Sequence, residues 1–486
     1  RAAGSAEPAR RTGRKTFRQN ASTGEQLNDT AKPDHDNVYD AIVYDAILVG
    51  AGPAGSTFAE ALARASFRVA LLEEHAQVGV PTLCSGLVSP RALEIAGVSR
   101  EAMGLREYSE ARVWGPGGST LWLRSDSIQA IAIERDRFDQ ALARRAADAG
   151  ARLMLGTKAR RFERDNGTIS VQATTPGGEI QLRAPLLVGA DGAGSRVARW
   201  MGYNGKHEVI PAIKADITFS NGGTDSIEIL VGKGVAPGWF GWVIPLPGGR
   251  ATTGMGATGS PRNHFPAFLE LVRRRFGDYT VDRTHSAPIP LGPARDFVGD
   301  GVLLVGAAAR QTKPTTGGGV YLGIRAAQLA AGAATCALAQ ARAVGRGDVS
   351  RRALVAYEED WHRLEGREVA VGHRLRRVYR RLSDRELDWI IATAAEPWAQ
   401  RLISRLGDID FASQLLSALL SDLPRKVWPL GAWTRTLEPG PGLRTMEPSP
   451  GLRTLEPGSK PRENIAHLNI ERSVVERANE PCPELA

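Results

Sequence analysis

The chain is 486 residues long and 42% hydrophobic, enough to bury a large core in about two or three structural units. Its 62 Lys and Arg outnumber 53 Asp and Glu, but the two signs interleave and only 6% of residues are aromatic, which argues against nucleic acid as a partner. Cys84, Cys336 and Cys482 are far apart in the sequence, so no metal or iron–sulfur site is expected and a reducing, cytoplasmic setting fits best.

Residues 1 to about 37 are rich in Arg, Ser, Thr and Gly without hydrophobic periodicity, which predicts a disordered extension. Their arginine bias resembles a transit segment, but they lack the apolar core of a signal peptide. No apolar run in the chain reaches the roughly 18 residues of a membrane span. The pentapeptide VYDAI occurs at Val38–Ile42 and again at Val43–Ile47, and only the second copy is placed to be the first strand of a fold.

From Ile47 to Glu73 the pattern is strand, tight turn, helix, strand. Gly50 permits the turn, Gly52 bares the backbone to a pyrophosphate, and Gly55 lets the helix pack close to the strand. The helix N-terminus offers N–H groups and partial positive charge to that pyrophosphate, and Glu73 is placed to accept from a ribose hydroxyl. Ser66 stands where a glycine usually separates helix from second strand, at little cost in a loop. These features predict an adenine dinucleotide site without choosing between NAD and FAD.

The Gly/Pro/Ser-rich loop Gly79–Glu94 follows, a composition that tends to face ligands. Turn-broken strand signals run from Ala111 to Ala132. Arg135, Phe138, Leu142 and Ala146 then share one helical face, with a strand near Leu153. A further apolar strand, Ala184–Gly189, leads into Ala190-Asp191-Gly192. Residues 205–285 alternate like strands and include Pro237–Pro247, whose aromatic density suits an apolar pocket wall. Within it Phe240, Trp242 and Ile244 alternate, so they are candidates to line that pocket from one face. A strand at Val302–Val305 then meets a glycine-rich turn that opens an Ala-rich helix continuing past Cys336. Residues 350 to about 432 read as helical, with a basic stretch at His373–Arg381. That stretch is most simply a solvated face, and otherwise a contact for anionic lipid heads or an acidic redox partner. Residues 433–486 carry a nine-residue repeat beginning at Arg435, Arg444 and Arg453, and are expected to be a disordered tail.

Several of these pieces together resemble the geranylgeranyl reductase family, flavoproteins with the p-hydroxybenzoate hydroxylase-like fold. They are the fingerprint ending at Glu73, the loop PTLCSGLVSPRALE, Arg135-x-x-Phe138-Asp139, Ala190-Asp191-Gly192, Pro237–Pro245 and Lys313-Pro-Thr-Thr-Gly-Gly-Gly319. The resemblance implies an α/β fold: a Rossmann-type FAD-binding domain from 43–200 and 286–340, an inserted antiparallel-sheet substrate domain at 205–285 joined by strands near 111–132, and a C-terminal helical region. It implies FAD held by Gly50, Gly52, Gly55 and Glu73, with Arg135, Asp191 and Gly306 supporting it and Thr315, Gly317, Gly318 and Gly319 against the isoalloxazine. Backbone N–H groups at such a helix start would stabilise negative charge on a reduced flavin.

The implied reaction is hydride transfer from reduced flavin to carbon–carbon double bonds of geranylgeranyl or other prenyl chains. Cys84 and Tyr321 are candidate proton donors, and Lys313 either adds to the field at the flavin or is an ordinary turn lysine. Electrons would come from NAD(P)H, which has no second fingerprint here, or from a small redox protein such as reduced ferredoxin. Membrane contact would be peripheral, through the lipid substrate. One departure stands out: where family members usually have Gly-Asp-Ala-Ala, this chain has Gly306-Ala307-Ala308-Ala309, losing a carboxylate expected to hold the ribityl chain. The competing readings are a flavin monooxygenase or halogenase of an aromatic substrate, or a degenerate non-enzymatic flavoprotein. Halogenases need a lysine soon after the fingerprint, and none occurs between Gly55 and Lys158.

Overall fold

The computed structural model describes residues 42–411 and 415, apart from 83, 204–206 and 345–348. The expected N-terminal extension, the first four residues of the VYDAI duplication, Cys482 and the tail repeats lie outside the described residues.

A six-stranded sheet runs in the order Val298–Gly299, Val302–Leu304, Leu186–Gly189, Ala46–Val49, Val69–Leu72, Arg152–Met154. All neighbours are parallel except the first pair. Ala46–Val49 and Val69–Leu72 are buried at every position, as continuous apolar runs must be in a sheet covered on both faces. Helix Pro53–Arg64 packs between helices Arg135–Asp148 and Val320–Val344. Ser66 takes the left-handed conformation with φ 62°, one a glycine adopts without the roughly 1 kcal/mol penalty of a side chain. Ile42 and Val43, where the two VYDAI copies meet, form a short strand that pairs in parallel with Gly178–Ala184 of a separate four-stranded sheet.

A seven-stranded sheet has the order Tyr279–Leu291, Glu208–Phe219, Arg250–Gly256, Phe240–Pro245, Ile227–Val231, Glu110–Trp114, Thr120–Arg124. Its neighbours are antiparallel except Ile227–Val231 with Glu110–Trp114. Helix Phe265–Phe276 covers one face, where Phe268 lies directly under Gly241, while the other face looks toward the six-stranded sheet. Among the described residues five C-terminal helices follow: Arg351–Leu354, Ala356–Leu364, Gly366–Tyr379, Asp384–Ala394 and Pro397–Leu406.

Helix Val320–Val344 is the longest of the described helices. Its stretch Val320–Ala343 is long and apolar enough to cross a membrane by length and composition alone, though two-thirds of its most apolar window is buried inside the protein. Arg325, 3% exposed, lies 3.5 Å from Glu365 within that packing. The helix is the spine of the core.

Candidate active site

The turn after Ala46–Val49 is built by sterics. Gly50 has φ 102°, and a Cβ there would stand 2.5 Å from the Ala190 carbonyl oxygen. A Cβ on Gly55 would overlap the Gly50 carbonyl oxygen, so this glycine acts in packing helix on turn and does not border the cavity described below. Gly52 differs from both: no atom lies within 4 Å of where its side chain would be, leaving its backbone bare at the helix start. The strand ending at Leu72 delivers Glu73, whose carboxylate accepts from Ala51 N at 3.1 Å and from His75 N at 3.1 Å. The His75 ring lies 2.7 Å from the same carboxylate.

Asp191 reaches the same cavity but spends its carboxylate on the helix beyond it. It accepts from Ser195 Oγ at 2.5 Å, Arg196 N at 2.6 Å and Val197 N at 3.3 Å. Burial raises its pKa, against the lowering effect of those bonds. What this turn offers the cavity is mainly backbone at Gly192 and Gly194, again with open space at both. Arg135 is locked in a two-pronged pair with Asp139, at 3.0 and 2.9 Å. Burial disfavours its charge, but Asp139 and the neighbouring Cys84 outweigh that and hold the guanidinium charged. The Cys84 sulfur also accepts from Gly86 N at 3.5 Å.

On the opposite side, Val302–Leu304 leads into Gly306, whose N–H donates to Gln311 Oε1 at 2.7 Å. Gln311 in turn donates to the Tyr357 hydroxyl at 2.8 Å, and that hydroxyl to Leu304 O at 3.0 Å, a buried network that fixes the turn. Residues Thr315–Gly319 fold back, with Gly317 N donating to Lys313 O at 2.8 Å and Lys313 N to Gly318 O at 2.9 Å. Gly317 is pressed against Trp239 and Ile289. Lys313 is neither a free charge at the cavity nor an exposed turn lysine. Its ammonium is bound to the Asp410 carboxylate and donates to Ile409 O at 3.2 Å. Tyr321, 3% exposed, meets Phe411 edge-on with centroids 6.0 Å apart.

These two halves face one continuous cavity of about 1090 Å³. Of the predicted site residues, Gly50, Gly52, Glu73, Cys84, Arg135, Asp191, Phe240, Trp242, Ile244, Gly306, Lys313, Thr315, Gly317, Gly318, Gly319 and Tyr321 all border it. The strand alternation is as expected: Phe240, Trp242 and Ile244 face the cavity, while Gly241 and Val243 face Phe268 and the core beneath. Gly254 on the adjacent strand leaves the space filled by the Trp242 indole. Bare backbone at Gly52 and Gly192, a buried acid at Glu73 and a glycine-rich turn before a long helix fit an extended dinucleotide.

Sequence reasoning misses two contributors and has a third, Trp239, only as part of the Pro237–Pro247 wall. Lys214, 6% exposed, reaches from the centre of Glu208–Phe219 to donate to Cys84 O at 3.0 Å. The only signal was a lysine within an apolar strand. Trp239, just outside the alternating set, stacks on Phe240 at 5.1 Å and borders the cavity. Last, the segment after helix Pro397–Leu406 borders the cavity: Asp408 and Asp410 pair with Arg91 at 3.3 Å, and the Arg91 guanidinium lies 4.8 Å over the Phe411 ring. No local pattern announces a contact between residues so far apart.

The FAD binding domain family model matches residues 43–365, more than half of the chain. The digeranylgeranylglycerophospholipid reductase of Methanothrix thermoacetophila is 31% identical over 397 residues, covering 79% of this chain and 98% of that relative. The chain belongs to the geranylgeranyl reductase family of FAD-dependent oxidoreductases. A second relative, digeranylgeranylglycerophospholipid reductase 1 of Methanothermobacter thermautotrophicus, is 32% identical over 71% of this chain and 89% of its own length. Among solved structures, a geranylgeranyl bacteriochlorophyll reductase-like protein from Thermoplasma acidophilum superposes with a TM-score of 0.70 at 22% identity, covering 81% of this chain and all of that one. A flavin-dependent brominase superposes at 0.60 with 18% identity, covering 78% of this chain and 98% of that one. At these identities the likeness to the brominase shows the fold alone, and chemistry must be argued from the cavity.

Proposed function

We propose that the chain reduces carbon–carbon double bonds in geranylgeranyl or other prenyl chains of isoprenoid lipids. The observation that carries the reading is the continuity of the cavity, which runs from the dinucleotide glycines to an apolar wall at Phe240, Trp242 and Ile244. The names of the archaeal relatives support the substrate class. Bound and reduced FAD would supply the hydride. Gly50 and Gly52 would present backbone to its pyrophosphate, Glu73 would accept from its ribose, and Thr315–Gly319 would lie along its ring at the N-terminus of the long helix, which favours negative charge. Gly306 and Asp191 would line the chain between the two ends. Phe240, Trp242 and Ile244 would exclude water and orient the prenyl chain. The carbon opposite the hydride needs a proton, for which the Cys84 thiol and the Tyr321 hydroxyl are the candidates at the cavity. Electrons would be drawn from NAD(P)H or reduced ferredoxin.

The test is mass analysis of prenyl lipids after anaerobic incubation with chemically reduced, FAD-loaded protein. A gain of two hydrogens per double bond is expected, and a substrate left unchanged while the flavin stays reduced would remove the reading. One observation favours the oxygen-using alternative: a buried lysine, Lys214, does border the cavity, arriving from the sheet and not from the region after the fingerprint. Turnover that vanishes without oxygen and returns with it would support that alternative.

A further inference from the structure

Helices Asp384–Ala394 and Pro397–Leu406 pack their inner faces on one apolar cluster over the edge of the seven-stranded sheet, and Tyr379 at the end of Gly366–Tyr379 joins it. Tyr379, Ile391 and Ile403 meet Leu121, Val231 and Phe240 there. Ile403 and Phe240 also border the cavity, so this layer is the wall between cavity and solvent.

The outer faces of the three helices differ sharply from the inner ones. On the first, half-buried Arg374 and exposed Arg377 lie on the side opposite buried Val369, Gly372 and Arg376, and exposed Arg381 follows in the turn just past the helix. On the second, Arg385 and Trp389 lie opposite buried Leu387 and Ile391, and Trp389 is 38% exposed. On the third, Arg401 and Arg405 are exposed, with half-buried Trp398 on the same face and Leu402 flanking it. Among the described residues none of these arginines has a carboxylate within ion-pair distance.

Most acids of the layer are engaged in bonds other than with these arginines. Asp384 accepts from Lys233 N at 2.9 Å, Glu386 closes the capping box with Ser383, Asp388 bonds Ser119, and Asp408 and Asp410 hold Arg91. Half-buried Glu368 and exposed Glu396 are the remaining acids among the described residues of the layer. A solvated helix face mixes both signs, and this one separates them. Unpaired arginines beside tryptophans and a leucine at the surface are the composition of a face that sits in the headgroup region of a bilayer.

We propose that the outer face of residues 366–406 docks on an anionic lipid bilayer. Docking there brings the cavity wall at Ile403 against the membrane that holds a lipid-borne prenyl chain, and in this respect the inference rests on the prenyl-reductase reading. Arginine charge supplies attraction, and Trp389 and Trp398 supply apolar anchoring.

The experiment is co-sedimentation of the full-length, FAD-loaded chain with phosphatidylcholine vesicles, with and without phosphatidylglycerol, at low and high salt. The wild type should bind the phosphatidylglycerol vesicles preferentially and release in salt. The variant Arg374→Gln/Arg377→Gln/Arg381→Gln should bind them about a hundredfold more weakly while retaining FAD. Trp389→Ala should weaken binding without altering its salt dependence. Equal binding to both vesicle types, no binding to either, or an unchanged triple variant would each overturn the proposal. So would a triple variant that loses affinity for reduced ferredoxin yet binds vesicles normally, since the face would then belong to an acidic redox protein. Vesicle binding as expected without reduction of any prenyl substrate would support the surface and remove the reductase reading.

Discussion

Ala307 sits in the cavity wall one residue after the Gly306 turn, where a carboxylate could reach a bound cofactor. A charged hydrogen bond of that kind contributes about 1.5–3 kcal/mol. Ala307→Asp should therefore tighten FAD binding roughly ten- to a hundredfold in a flavin fluorescence titration. Equal affinity in the two proteins would show that the missing carboxylate is compensated elsewhere. Cys84 is the second residue whose chemistry can be isolated. Its sulfur accepts from Gly86 N at 3.5 Å and borders the cavity. If its thiol supplies the proton, Cys84→Ser should keep its flavin and lose about a hundredfold in turnover. A variant with full turnover ends that assignment and leaves Tyr321. Lys313 shows what a sequence cannot tell about a side chain: its motif position was legible, but its partner Asp410 lies 97 residues on.

At the level of elements, the strand pair Glu110–Trp114 and Ile227–Val231 is held by one buried acid. Glu228 is 0% exposed and accepts from Arg112 at 3.0 and 2.9 Å, Trp114 Nε1 at 2.6 Å, Thr224 Oγ1 at 2.5 Å and Ser226 Oγ at 2.8 Å. Burial pushes its pKa up, but these donors outweigh burial and the pKa is lowered. The sign follows: the stabilisation is complete above the ordinary glutamate range and is lost as pH falls through the lower folded-state value. Glu228→Gln should cost about 3 kcal/mol at neutral pH, measured by urea unfolding, with the gap to wild type narrowing in acid. A gap constant with pH would mean that shape, and not charge, holds the pair together. Elements with strong local periodicity were legible. The βαβ unit from Ala46 to Leu72 and the alternation of Phe240, Trp242 and Ile244 follow from patterns of 3.6 and 2 residues. The four-stranded sheet was not, because Lys158–Asp165 and Thr168–Thr175 carry many polar residues and gain their place from pairing with each other and with Gly178–Ala184. Lys214 escaped for a related reason, since strand alternation gives a face but not what that face meets.

Across the whole molecule, the chain closes on itself through the segment 407–411, which joins Arg91 near the beginning of the fold and Lys313 near its end to Asp408 and Asp410. Asp410 is 6% exposed, and replacing it leaves two cations facing a group that cannot balance them. Asp410→Asn should loosen the segment by about 3 kcal/mol and speed limited proteolysis just beyond Leu406 roughly a hundredfold. An unchanged cleavage rate would mean that Phe411 against Tyr321 and Arg91 is sufficient to hold it. The same closure bears on how the protein is made. The first dinucleotide glycines leave the ribosome early, but the strand beside Leu186–Gly189 comes from Val302–Leu304 and the last wall from residues past 403. Vectorial synthesis thus leaves the cavity with an open apolar wall until nearly the whole described fold has emerged, and a cofactor bound there would be enclosed late in the birth of the chain.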